Sequence, residues 1–118
     1  MITIEHVTEN IMRVKVPKTL KAEDFARFAP QVEEAIRQYG KIRLLVDASE
    51  FDGWENMKAF EKHVGFVKSH HASVERGALI VNHAWQHWVA GAFKIFVRTE
   101  IRIFDKGDAA DAREWITH

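Results

Sequence analysis

Three short apolar runs, Ile42-Arg-Leu-Leu-Val-Asp47, Ala78-Leu-Ile-Val81 and Glu100-Ile-Arg-Ile-Phe104, are separated by two stretches whose apolar residues recur at helical spacing. Strand-length runs that alternate with helix-length stretches call for a largely parallel sheet, covered by helices and joined by right-handed crossovers. Two more extended runs come first: Ile2, Ile4 and Val7, then Ile11, Val14 and Val16. The turn-sized gap Thr8-Glu9-Asn10 between them predicts an antiparallel hairpin. Pro17 closes the second run, because proline cannot donate to a ladder.

The helices follow from period and punctuation. From Ala22 to Tyr39, the residues Phe25, Phe28, Ala29, Val32, Ile36 and Tyr39 share one face, and Gly40 is a natural stop. Pro30 interrupts this stretch away from the apolar face, so any break is expected on the solvent side. A long helix is expected from about Trp54 to His70. A third runs from Ala84 to Val97 behind a capping Asn82. Asp108 opens a short last helix, with Asp111 near its positive end. The predicted order is β-β-α-β-α-β-α-β-α. This is an α/β chain with a mixed, mainly parallel five-stranded sheet and four helices, read as one domain over residues 1–118.

Seventeen Lys and Arg against seventeen Asp and Glu leave no formal charge, so the basic footprint of a nucleic-acid binder is missing. The absence of cysteine removes disulfides, thiolate zinc sites and cysteine nucleophiles together. The N-terminal residues alternate apolar and polar and carry Glu5, unlike a signal peptide. The longest uncharged window, Gly77 to Phe93, is short for a membrane span and holds Asn82, His83, Gln86 and His87. A cytoplasmic location is expected.

Several stretches recur together and in order in a small bacterial family. They are Gly40-Lys-Ile-Arg-Leu-Leu, a loop with Phe51-Asp-Gly-Trp54, Glu75-Arg-Gly-Ala-Leu-Ile-Val, Trp85, Glu100-Ile-Arg-Ile-Phe and Ala112-Arg-Glu-Trp-Ile116. In these the chain resembles the SpoIIAA-like branch of the STAS superfamily, whose fold is shared with the CRAL-TRIO lipid-binding domains. The resemblance implies consecutive strands in a β-α superhelix and a hydrophobic-ligand or membrane-associated role. Two departures stand out. Lys21 occupies the helix-entry position where relatives often carry a capping Thr. In anti-sigma-factor antagonists of the superfamily a phosphorylatable Ser opens the second helix. Here that position reads Phe51-Asp-Gly-Trp54, with Ser49 the nearest serine, so switching of partners by phosphorylation is not implied.

The aromatic residues cluster between Phe51 and Phe104. Trp54, Met57, Phe60, Val64, Val67 and His71 form one stripe, and Trp85, Trp88, Val89, Ala92, Phe93 and Phe96 another. Helical apolar stripes are usually core packing. The third helix, however, has more apolar girth than one sheet contact covers, which points to a groove for an apolar ligand. Trp54, Met57, Phe60, Val64, Trp85, Trp88, Val89 and Phe93 are its expected lining. Each methylene buried there contributes about 0.8 kcal/mol.

Phe66 falls off the main stripe on the side of Ala59, His63 and His70. With Lys58 and Lys62 it is expected to form an outward face for an anionic membrane surface. His83 and His87, four apart, lack the Glu of the metalloprotease motif and a third ligand. Asp47, Ser49, Glu50 and Asp52 read as a turn that satisfies its own backbone. No catalytic residue, metal or cofactor is expected. The leading expectation is a non-enzymatic module that binds a hydrophobic or amphiphilic small molecule, lipid or fatty-acid-like. The alternative is a regulatory protein–protein interaction domain of STAS type without a small ligand.

Overall fold

The computed structural model of the chain describes residues 2–82 and 99–118. The hairpin forms as β1 (Thr3–Thr8) and β2 (Ile11–Lys15). They pair antiparallel, with Ile4 opposite Val14. Glu9 turns the chain at φ 48, a left-handed conformation that glycine or asparagine adopts more readily. Beyond it, β4 (Ile42–Ala48), β6 (Val74–Val81) and β7 (Glu100–Asp105) add in sequence order, each parallel to the last. The sheet order is β1-β2-β4-β6-β7, the mixed five-stranded sheet that the alternation requires.

The described residues hold seven strands and three helices, where five strands and four helices were expected. The two extra strands, β3 (Thr19–Leu20) and β5 (Gly53–Trp54), form a separate parallel pair. Two-residue strands have no room for the alternation that betrays longer ones. Trp54 therefore belongs to a strand. The second helix, α2, begins at Met57 and ends at His70. Its start is set by Asn56, whose side chain accepts from the Ala59 N–H at 2.9 Å. The helix expected from Ala84 to Val97 lies outside the described residues.

Helix α1 (Ala22–Tyr39) runs unbroken through Pro30, which is exposed. No side chain caps it from Lys21. Instead the Lys21 N–H donates to the carboxylate of Asp24 at 2.9 Å, half of a capping box. At the other end the Gly40 N–H reaches the Ile36 carbonyl at 2.7 Å. β6 starts at Val74, four residues earlier than its apolar run. Glu75 and Arg76 hide the strand in the sequence, but both spend their charge locally. Arg43 donates to Glu75 at 2.8 Å, and Arg76 pairs with Glu100 at 3.3 Å.

Alternate residues along the central strands face opposite sides. Met12, Val14, Leu44, Val46, Leu79 and Val81 pack beneath α1 and α2 with Phe25, Phe28 and Val32. Ile11, Leu45, Ala78 and Ile80 pack on the other side against Ala112 and Ile116 of helix α3 (Ala109–Thr117). The last carbonyls of α3 accept from Arg43, at Ile116, and Arg76, at Trp115. Cations at that end also complement the helix dipole.

Candidate functional site

Helix α2 meets α1 through His63, Phe66 and His70, on the side that the sequence assigns to the outer surface. Phe66 is half-buried, its ring 5.3 Å from Phe28 and 6.2 Å from Phe25. The expectation of an outward aromatic at this position is corrected. An aromatic ring gains more against two phenylalanines of α1 than in water. Lys58 and Lys62 are exposed as expected, but on a different arc of the helix from Phe66. The exposed residues of α2 are Met57, Lys58, Glu61, Lys62, Gly65, Lys68 and Ser69. At 3.6 residues per turn they span one arc of about 140°.

Trp54 lies half-buried between elements, edge-on to Phe51 and Phe60 at 5.1 Å and 4.8 Å. Its Nε1 donates to Nδ1 of His63 at 3.0 Å. His63 also stacks on Phe25, with ring centroids 5.2 Å apart. Burial pushes its pKa down to about 4, because desolvation penalises the imidazolium. One helical span later, Nδ1 of His70 donates to the Phe66 carbonyl at 2.8 Å, and its Nε2 stands 3.7 Å from the Glu33 carboxylate of α1.

Of the residues expected to line an apolar groove, Trp54, Phe60 and Val64 are half-buried, and Met57 is 68% exposed. Trp85, Trp88, Val89 and Phe93 lie outside the described residues, as do His83 and His87. Among the described residues, two open clefts stand elsewhere. One of about 250 Å³ is lined by Thr19, Lys21, Glu23, Asp24 and Arg27 at the start of α1. The other, about 490 Å³, lies where Arg76 and Arg102 approach the Trp115 ring at 5.1 Å and 5.5 Å. Neither includes a residue of the expected lining.

The loop after β4 is built as a self-satisfied turn. The hydroxyl and N–H of Ser49 both donate to Asp47, at 2.7 Å and 3.1 Å. Burial opposes the Asp47 charge, yet Ser49, Lys15 and Arg13 together hold its carboxyl below the usual carboxylate range. Lys15 also reaches Glu50 at 3.8 Å. Asn82 anchors this loop by donating to the carbonyls of Phe51 and Ser49, at 3.2 Å and 3.4 Å. The sequence reading assigns Asn82 only to a helix cap, since nothing local tells which distant carbonyls an amide meets.

No group of three or more His, Asp or Glu among the described residues is placed to hold a metal ion. No helix among them is long and apolar enough to cross a membrane.

No curated protein sequence matches the chain. Among solved structures, it is similar to an uncharacterized protein with a SpoIIAA-like fold from Shewanella loihica PV-4. The identity is 26%, coverage is 98% of this chain and 92% of that one, and the TM-score is 0.78. It also shares its fold with the anti-sigma factor antagonist SpoIIAA in the unphosphorylated form, at 13% identity, coverage of 97% and 98%, and TM-score 0.62. The phosphorylated Bacillus cell fate determinant SpoIIAA gives 12% identity, coverage of 94% and 97%, and TM-score 0.60. The SpoIIAA-like family model matches residues 11–117, which is nearly every element described above, and the chain belongs to the SpoIIAA-like family.

Proposed function

We propose that this domain is a regulatory protein–protein interaction module that acts without a small ligand. The observation that carries this reading is end-to-end likeness of fold to an anti-sigma factor antagonist, a protein that acts by opposing another protein. The interior supports it. Around Trp54 the rings of Phe51 and Phe60 stand edge-on to the indole and the His63 imidazole accepts its N–H, so this part of the expected lining packs on itself. This reading carries no phosphorylation switch over to Ser49, because that serine does not open the second helix. Its hydroxyl is engaged by Asp47 in the loop after β4, eight residues before α2 begins.

The test is affinity capture from native extract, followed by reconstitution of the purified pair and mass spectrometry of an organic extract of the domain. A one-to-one complex with a purified protein, with no lipid retained, is the expected result. A domain that carries a stoichiometric fatty acid or lipid and forms no protein complex overturns the reading in favour of the ligand-binding alternative.

A further inference from the structure

The outward arc of α2 is more basic than the neutral chain as a whole. Lys58, Lys62 and Lys68 project from it with Glu61 as the acidic residue among them, and all four are exposed. None of the three lysines has an ion-pair partner among the described residues, whereas Glu55 just before the helix is met by Lys21 at 3.9 Å. From Lys58 to Lys68 the arc extends about 15 Å along the axis at 1.5 Å per residue. Near its middle stands Gly65, and a Cβ added there would meet nothing within 4 Å.

A glycine inside a helix costs about 1 kcal/mol relative to alanine. Here no neighbour among the described residues requires it. A bare backbone flanked by cations instead leaves room for another chain to approach from outside.

We infer that this arc docks an acidic segment of a protein partner, with Lys58, Lys62 and Lys68 as the charge contacts and Gly65 as the point of close approach. The inference rests on the interaction-module reading and names the chemistry of the partner. A membrane is the less suitable occupant. Interfacial helices bury a broad apolar face, but Phe66 is turned toward α1 and Met57 is the one large apolar side chain on this arc.

The test uses the whole ¹⁵N-labelled protein with an octaglutamate peptide as probe. Amide shifts are expected to concentrate on residues 57–69, and the affinity to fall about tenfold or more between about 50 mM and about 500 mM NaCl. The triple variant Lys58→Gln, Lys62→Gln, Lys68→Gln is expected to keep its melting temperature and lose the peptide to a similar degree. Shifts spread over Lys18, Lys41 and Lys106, or unchanged binding by the triple variant, overturn the inference. So does sedimentation with phosphatidylserine vesicles through these lysines while the peptide is ignored. The two readings fail separately. A captured partner that binds wild type and triple variant equally leaves the interaction module standing and removes the arc; absence of any protein complex removes the module itself.

Discussion

The indole N–H of Trp54 ends on Nδ1 of His63, 3.0 Å away, and this contact fixes the proton of the neutral imidazole on Nε2. A second proton on His63 would need Nδ1, the atom that the indole already occupies. It would also put a charge where burial withholds water from it.

The stability of the fold should therefore fall on acidification through this one residue. The native pKa is about 4 and the ordinary value 6.5, so the unfolded chain takes up the proton first. The contribution of neutral His63 is whole above about pH 6.5, declines as pH falls, and is exhausted near pH 4. At its full extent the loss is roughly 3 kcal/mol. Urea denaturation from pH 7.5 to pH 4 should show a slope that His63→Phe flattens; an equal slope in both proteins would refute the assignment.

Trp54→Phe keeps the ring between Phe51 and Phe60 but removes the donor. His63 Nδ1 is then left without its partner, and a loss of about 1–3 kcal/mol is expected. The His63 imidazole should also titrate closer to its ordinary range, read by NMR of the ring protons. Unaltered stability and unaltered titration together would show that the contact contributes nothing.

Gly65→Ala should raise the unfolding free energy by about 0.5–1 kcal/mol, since the methyl group enters open space on a helix. Thermal or chemical denaturation reads the change directly. A destabilised variant would mean that something within the fold does occupy that side.

Asn82→Ala should release the loop at residues 49–52, because both carbonyls that it holds lose a donor. A cost of about 1–2 kcal/mol is expected, with faster amide hydrogen exchange confined to that loop and to β5. Exchange that rises uniformly over the sheet would instead mark Asn82 as a residue of global stability.

On the opposite face of the sheet, Ile116 is fully buried between α3 and the strands. Truncation to alanine should cost about 2–5 kcal/mol, measured by urea denaturation. A value below 1 kcal/mol would mean that α3 adds little to the fold.

The sheet was readable because its strands carry their signal locally. Ile42 to Asp47 and Glu100 to Phe104 announce themselves as runs, and the hairpin shows its turn at Thr8 to Asn10. What escaped depends on distant partners. The start of β6 reads as polar until Arg43 and Glu100 are seen to neutralise Glu75 and Arg76. The β3–β5 pair is too short to leave a period. The sequence puts Phe66 on the wrong side for a related reason. Periodicity gives the angle between side chains on a helix, but not which flank meets a neighbouring helix. Two flanks of α2 are apolar, and the choice between them was made by Phe25 and Phe28 on α1. The lysine arc is legible only in part: Lys58 and Lys62 stand out in the sequence, while Lys68 and Gly65 join them only once the inward flank is known.

The two-residue strap between Thr19–Leu20 and Gly53–Trp54 has a mechanical consequence. Through it, and through the Glu55 N–H on the Leu20 carbonyl at 2.8 Å, the approaches to α1 and α2 are fastened together just ahead of their first turns. A force applied to α2 at Met57 would be handed through this strap to the entrance of its neighbour, so the pair would tilt as one plate.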